Sequence, residues 1–86
     1  MESIAQNRES DILNRLERIF AETFQESAYD FSTLTTQEDV EEWDSLNQIR
    51  LLMATEAEFG FKFDLEEMEH LGSVQALVDA IEARQT

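Results

Sequence analysis

The stretch that decides the fold is Trp43-Asp44-Ser45-Leu46, which runs directly into Asn47-Gln48-Ile49-Arg50-Leu51-Leu52-Met53. Asp44 is a good N-cap residue, and the apolar residues after it recur close to helical spacing, which predicts a helix over residues 45–59. Ser45 is predicted to lie in the first turn of that helix, where its small hydroxyl can stay exposed. Unpaired backbone N–H groups and the positive end of the helix dipole favour an anion at such a position. Ser45 is therefore a candidate carrier of a phosphate ester.

The segment before this stretch predicts one helix followed by a long loop. Ser10 or Asn7 is a suitable cap for the first helix, which leaves residues 1–9 as an N-terminal tail that frays and residues 10–86 as one domain. The apolar face of this helix comprises Ile12, Leu16, Ile19, Phe20 and Phe24. From about residue 25 to residue 44 the helical pattern fails. We predict an ordered loop there, pinned over the helix ends by Phe31, Leu34, Val40, Tyr29 and Trp43.

The segment after residue 59 predicts a short helix and a last main helix. Gly60 is a natural stop for the second helix, and Phe61 and Phe63 are predicted to bury their rings in an extended connector. Asp64 and Glu67 have the spacing of a capping box that opens a short helix over residues 65–70. Gly72 ends that piece, and Ser73 caps the last helix. The predicted fold is all-α, a four-helix bundle with three main helices, a short third helix and a long loop between helices one and two.

The composition narrows the classes of partner. The 86 residues form one domain, whose 20 acidic and 6 basic residues give a net charge of −14. Nucleic acid and anionic membranes are poor partners for such a chain, whereas proteins with basic patches are steered toward it. The chain has no cysteine, no signal-like N-terminus and no stretch of membrane-spanning length. We expect a monomeric protein of the cytoplasm.

Metal binding and catalysis find little support in the sequence. The acidic run at residues 37–42 lacks the spacing of a calcium-binding EF-hand, and His70 has no second histidine or cysteine to help it hold a metal. No nucleophile is paired with a base, so we do not expect an enzyme. No metal site is predicted.

The motif around Ser45 also resembles a known family. Asp44-Ser45-Leu46, with Met53-Ala54, Glu56, Glu58-Phe59-Gly60 and Val74-Gln75-Ala76 downstream, is similar to acyl carrier proteins over about residues 12–81. The resemblance implies that a separate phosphopantetheinyl transferase, using magnesium and coenzyme A, attaches 4′-phosphopantetheine to Ser45. The terminal thiol of that arm then carries acyl groups as thioesters among enzymes that load and transfer them.

The resemblance further implies a docking surface made by Asp44, Leu46, Met53 and Glu56. Helical patterning alone would place Leu46 and Met53 in the core, whereas the family places them on an exposed rim.

Four positions of the second helix depart from the family pattern. Asn47, Arg50 and Ala57 stand where fatty-acid carriers often have carboxylates, and Thr55 stands where a bulky aliphatic residue is common. Because Arg50 reverses the charge, the chain resembles a free-standing carrier of a specialised biosynthetic pathway more than a carrier of ordinary fatty-acid synthesis. An aminoacyl or peptidyl carrier and an unmodified acidic adaptor remain alternatives.

Overall fold

The chain folds into four α-helices joined by one long and two short connections, as seen in a computed structural model that describes residues 4–85. The helices are α1 (Ile4–Thr23), α2 (Ser45–Phe59), α3 (Leu65–Met68) and α4 (Val74–Gln85), and a 3-10 turn spans Gln37–Asp39. Among the described residues there is no β-strand, only an isolated bridge between Thr36 and Ser73. The predicted all-α bundle, with its short third helix and its long loop between α1 and α2, is confirmed.

The first helix provides one wall of the core and packs against both α2 and α4. Its predicted apolar face is confirmed, because Ile12, Leu16 and Phe20 are fully buried and Ile19 and Phe24 are nearly so. Burying these side chains is the main force that holds the helix on the bundle.

The predicted start of this helix was wrong. Helix α1 begins at Ile4, so Ser10 and Asn7 lie inside it instead of capping it. Ser10 is exposed there, where its hydroxyl can be hydrated, and no glycine or proline interrupts residues 4–9. Residues 4–9 of the predicted tail therefore belong to α1, while residues 1–3 lie outside the described residues. The assignment of residues 10–86 as the domain stays a prediction.

The long loop is held on the bundle by an aromatic cluster around Phe20. The Phe20 ring meets the rings of Phe31 and Trp43 edge to face, each with a centroid separation of 5.1 Å. Phe24 and Tyr29 complete the cluster at 5.4 and 6.4 Å from the same ring. Edge-to-face pairs add to the stabilisation that burial gives. The loop is therefore ordered, as predicted.

One predicted anchor of the loop was wrong. Leu34 is 84% exposed, whereas its neighbour Thr35 is buried. The Thr35 hydroxyl donates a hydrogen bond of 2.7 Å to the carbonyl of Asp30, and the Thr35 carbonyl accepts one of 2.9 Å from the backbone N–H of Val74. Because these bonds satisfy a polar residue inside the loop, Thr35 takes the inward position and Leu34 points to water.

The local stop and start signals after α2 are confirmed. Gly60 ends α2 in the left-handed region with φ of 75°. The backbone N–H of Asp64 donates to Glu67 at 3.0 Å, and the hydroxyl of Ser73 accepts from the N–H of Ala76 at 3.1 Å. Phe63 is buried as predicted, whereas Phe61, predicted to be buried with it, is only half-buried.

An ion pair joins α3 to α4 and makes stability depend on pH. The Arg84 guanidinium donates to both carboxylate oxygens of Glu67, in one case at 2.8 Å. These bonds, with the N–H of Asp64, hold the pKa of Glu67 below its ordinary value of 4.5. A lowered pKa in the folded state gives stability that is present above the unfolded-state pKa and is lost as the pH falls through the folded-state pKa.

Glu67→Gln is therefore expected to lower the free energy of unfolding at neutral pH and to have less effect in acid. The loss near pH 7 should stay below about 1 kcal/mol, because both partners are partly exposed. Urea unfolding of both proteins from about pH 7 to about pH 3 measures the difference. Glu66→Gln, at the exposed neighbouring carboxylate, is the matched control. The account would be contradicted if the free energies of unfolding of Glu67→Gln and the parent protein differed by the same amount at every pH.

Candidate functional site

Ser45 is the first residue of α2, directly after a well-formed cap. Asp44 has an extended backbone, and its carboxylate accepts a hydrogen bond of 2.9 Å from the N–H of Asn47. The Asn47 side chain in turn donates to the carbonyl of Glu42 at 2.7 Å. Ser45 is exposed, and within residues 4–85 its hydroxyl has no hydrogen-bond partner. The position predicted for Ser45, exposed in the first turn of the second helix, is confirmed.

The residues around Ser45 are fixed to the core by Trp43 and Gln48. Trp43 is 3% exposed, and its indole N–H donates to the side-chain oxygen of Gln48. The side-chain amide of Gln48 donates at 3.0 Å to the carbonyl of Leu71, which follows α3. This bridge joins the start of α2 to the segment before α4, so the serine is presented by a firmly held helix end.

The role of Gln48 was missed in the sequence, although a signal was present. Residues 48, 51, 52 and 55 share the inner face of α2, and Leu51, Leu52 and Thr55 are all buried. A glutamine in register with buried residues needs partners for its amide. A polar residue on the inner stripe of a helix was therefore the observation that could have identified the bridge.

Gln48→Leu is expected to lower the free energy of unfolding by about 2–3 kcal/mol, the lower part of the range for two unsatisfied groups, because Gln48 is only half-buried. The substitution leaves the indole N–H of Trp43 and the carbonyl of Leu71 without their partner, and each unsatisfied group costs about 1–3 kcal/mol. Urea titration measures the loss. The matched control is Gln75→Leu on the exposed side of α4, where the amide donates a hydrogen bond of 2.9 Å to the carboxylate of Asp79. Equal unfolding midpoints for the two variants would contradict the bridge.

The outer face of α2, next to Ser45, is apolar and exposed. Leu46, Ile49 and Met53 are 59%, 56% and 63% exposed. The family-based position of Leu46 and Met53 on an exposed rim is confirmed, and their core position from patterning alone is wrong. Ile49, Leu51 and Leu52 cannot all face one side of the helix, and Ile49 is the one that faces solvent. Exposed apolar groups in one patch are typical of interaction surfaces. A docking role for Leu46 and Met53 stays a prediction.

The charged groups of α2 do not form an acidic stripe beside Ser45. Arg50 is exposed, and within the described part of the chain its guanidinium has no carboxylate partner. Glu58 pairs with Arg15 of α1 at 2.7 Å, which raises the pKa of Arg15. Glu56 accepts a hydrogen bond of 2.7 Å from the N–H of Phe63. Glu56 thus stabilises the connector after α2, and its docking role, like that of Asp44, stays a prediction.

An open groove of about 540 Å³ lies at the far end of the same outer face. It is lined by Met53, Glu56, Ala57, Gly60, Phe61 and Lys62. The groove and the exposed patch share Met53, so together they make one continuous surface from Ser45 to the end of α2. This surface was not predicted, because it combines residues of the helix with residues of the connector.

The other candidate residues have structural surroundings. In the acidic run, Asp39 accepts from the N–H of Thr36 at 2.9 Å and Glu42 accepts from the hydroxyl of Ser27 at 2.9 Å. His70 is exposed in the turn that follows α3, two residues after the end of that helix. Across residues 4–85 no group of three histidine, cysteine or acidic residues could hold a metal ion. No helix in that range is long and apolar enough to cross a membrane.

Comparison with protein families gives a match that includes the site just described. The family model for a phosphopantetheine attachment site matches residues 14–81. A comparison with curated proteins found no match. The matched range begins within α1, ends within α4 and contains Ser45 with the whole of α2. The Ser45 hydroxyl is exposed and has no hydrogen-bond partner among the described residues, so it is accessible to the group that this family carries. The chain therefore belongs to the phosphopantetheine attachment site family, whose members carry 4′-phosphopantetheine covalently on a serine.

Proposed function

We propose that the protein is an acyl carrier protein in which Ser45 holds the 4′-phosphopantetheine arm. The observation that carries the proposal is the bare hydroxyl of Ser45 at the start of α2, inside the matched family range. When attached, the arm supplies a thiol that forms thioesters with acyl groups. The protein supplies the tether point and a surface that enzymes recognise.

The residues near Ser45 suit a phosphodiester better than a reaction of their own. The first turn of α2 offers backbone N–H groups and the positive end of the helix dipole, both of which stabilise a phosphate. Asp44 uses a carboxylate oxygen for the cap, and no base in residues 4–85 is hydrogen-bonded to the Ser45 hydroxyl. Activation of that hydroxyl therefore falls to the transferase. As the serine oxygen bonds to the phosphorus of coenzyme A that bears pantetheine, 3′,5′-ADP leaves and the serine proton passes to a base of the transferase.

Carrier domains of this family are generally not catalytic, and we propose the same for this chain. Its partners are a phosphopantetheinyl transferase and enzymes that load and transfer the acyl group. The net charge of −14 favours partners with basic docking patches, because opposite charge accelerates encounter. We propose that the chain works as a cytoplasmic monomer in a specialised pathway, with Leu46 and Met53 at the interface and Asp44 and Glu56 beside them.

Intact-mass measurement tests the proposal directly. The purified protein is incubated with coenzyme A, magnesium and a broad-specificity phosphopantetheinyl transferase. We expect the mass to rise by one phosphopantetheine group, located by proteolysis on the peptide that contains Ser45. An unchanged mass, with a known carrier modified in the same reaction, would overturn the proposal in favour of an unmodified adaptor.

The class of cargo needs a second measurement. Hydroxylamine releases a thioester-bound group from protein isolated from its own cells, and mass spectrometry identifies the hydroxamate. A hydroxamate without an α-amino group supports the acyl carrier. An aminoacyl hydroxamate would instead assign the chain to the aminoacyl or peptidyl carriers.

A further inference from the structure

We propose that Glu42 is a positioning residue for attachment of the arm, and that its hydrogen bonds to Ser27 and Glu26 hold the start of α2 in the conformation that the transferase binds. We call this set of hydrogen bonds the Ser27–Glu42 clamp. The inference rests on the proposed function, because it concerns the modification of Ser45. It adds a residue that acts on that reaction from outside the first turn of α2.

The first support is that Ser45 does not fix its own position. Its side chain is exposed and makes no hydrogen bond within residues 4–85. It is also the first residue of α2, and the first turn of a helix is where backbone N–H groups lack intrahelical partners and fraying begins. The position of its hydroxyl therefore depends on how firmly residues 42–44 and the first turn are held.

The second support is that the clamp engages both the side chain and the backbone of Glu42. One carboxylate oxygen accepts from the hydroxyl of Ser27 at 2.9 Å and from the backbone N–H of Glu26 at 2.8 Å. The Ser27 hydroxyl oxygen accepts from the backbone N–H of Glu42 at 3.1 Å. A hydroxyl has one donor and two acceptor sites, so Ser27 can make both of its bonds at once. Three hydrogen bonds thus tie the segment before Ser45 to the segment that follows α1.

The third support is that the carbonyl of Glu42 connects the clamp to the first turn of α2. It accepts from the side-chain amide of Asn47 at 2.7 Å and from the backbone N–H of Asp44 at 2.9 Å. The N–H of Asn47 in turn donates to the Asp44 carboxylate at 2.9 Å. Because Asp44 precedes Ser45 and Asn47 follows it, a shift of Glu42 would move residues on both sides of the serine.

The fourth support is the charge of this region. Glu42 is partly buried in a run that also contains Glu38, Asp39 and Glu41. A carboxylate partly withdrawn from water is costly unless donors compensate it, and hydrogen bonds to a charged acceptor are the stronger kind. Glu41 is exposed and, in the described part of the chain, has no hydrogen-bond or ion-pair partner. These two neighbours therefore allow the effect of the clamp to be separated from the effect of negative charge.

Loss of the clamp is expected to raise the KM of the transferase for this protein and to leave kcat nearly unchanged. Without the clamp, only a fraction of the molecules holds Ser45 in the conformation that binds, and the apparent affinity falls by that fraction. Once bound, the Ser45 oxygen meets the same groups of the transferase. For Glu42→Ala we expect KM to rise about five- to tenfold and kcat to stay within about twofold of the parent value.

The test measures both constants on the full chain with coenzyme A, magnesium and a broad-specificity phosphopantetheinyl transferase, by intact mass over a range of carrier concentrations. Glu42→Gln removes the charge but keeps an oxygen that can accept from Ser27, so its KM should lie closer to the parent value than that of Glu42→Ala. Glu41→Ala removes an equal charge from the adjacent position and should leave KM nearly unchanged. Equal KM values for Glu42→Gln and Glu42→Ala, or for Glu41→Ala and Glu42→Ala, would overturn the inference, since either result would make charge the cause.

Ser27→Ala tests the clamp from its other side without changing the charge. We expect its KM to rise as well, and we expect Ser27→Ala added to Glu42→Ala to raise KM little further, because both remove the same contact. Every variant is assayed where circular dichroism shows it to be folded, so a lower stability alone does not change KM. A parent-like KM for Ser27→Ala, or full additivity of the two effects, would overturn the inference. A parent protein that gains no arm would instead overturn the proposed function.

Discussion

Ser45→Ala is expected to abolish attachment of phosphopantetheine while leaving the fold intact. Alanine lacks the oxygen that forms the phosphodiester, so the loss of modification should be complete and not partial. The Ser45 hydroxyl has no hydrogen-bond partner within residues 4–85 and the side chain is exposed. The free energy of unfolding should therefore change by no more than about 0.5 kcal/mol. Intact mass after treatment with transferase and urea unfolding measure the two quantities.

The matched control for this prediction is Ser10→Ala. Ser10 is also an exposed serine on a helix, but it lies inside α1, away from a helix start. We expect the Ser10→Ala protein to gain one arm as the parent protein does. Modification of Ser45→Ala, or loss of modification in Ser10→Ala, would contradict the assignment of the tether point.

Phe20→Ala is expected to cost about 3–5 kcal/mol in the free energy of unfolding, the range for removing a buried phenylalanine. The Phe20 side chain is fully buried, and its ring contacts four other aromatic rings that hold the long loop against α1. The cavity cannot close easily, because its walls belong to both a helix and a loop. Small domains have total stabilities of about 5–15 kcal/mol, so a large part of the total would be lost.

Urea unfolding followed by circular dichroism measures this loss, and Phe61→Ala provides the comparison. Phe61 is only half-buried and contacts Phe63 and the Arg84 guanidinium. Its truncation should cost less than about 2 kcal/mol, because less apolar surface returns to water. A larger loss for Phe61→Ala than for Phe20→Ala would show that the loop cluster is not the centre of stability.

The parts of the fold that sequence reasoning predicted correctly are those decided by neighbouring residues. Asp44, Asp64 and Ser73 form hydrogen bonds within three residues of themselves, so their capping roles can be read from spacing alone. The same is true of Gly60, where a left-handed backbone favours glycine. These signals were sufficient to predict both ends of α2 and the first residues of α3 and α4.

The side of α2 that faces the core was harder to predict, because both sides of this helix carry apolar residues. Leu46, Ile49 and Met53 form one stripe and Leu51 and Leu52 another, so periodicity identifies a helix without choosing its buried face. Only packing against α1 and the rest of the bundle decides that choice. The start of α1 was predicted too late for a similar reason. Serine is a common cap residue, but it is also tolerated on the exposed face of a helix, so Ser10 alone does not decide where α1 begins.

The hydrogen bonds that hold the candidate site together could not be predicted from the sequence, for a different reason. Gln48 bonds to Leu71, and Glu56 bonds to Phe63 across the turn at Gly60. Such pairs depend on how separate segments meet and have no fixed spacing in the chain. The docking role of Glu56, taken from the family resemblance, stays a prediction, and its hydrogen bond to Phe63 adds a role in anchoring the connector.

The burial of Trp43 gives the protein its own optical reporter. It is the one tryptophan of the chain, it is 3% exposed, and it lies two residues before Ser45. Its fluorescence should therefore have the short emission wavelength of a dry environment in the native state and move to longer wavelength on denaturation. A mutation that loosens the start of α2 would change this emission, so no dye need be attached to follow that end of the molecule.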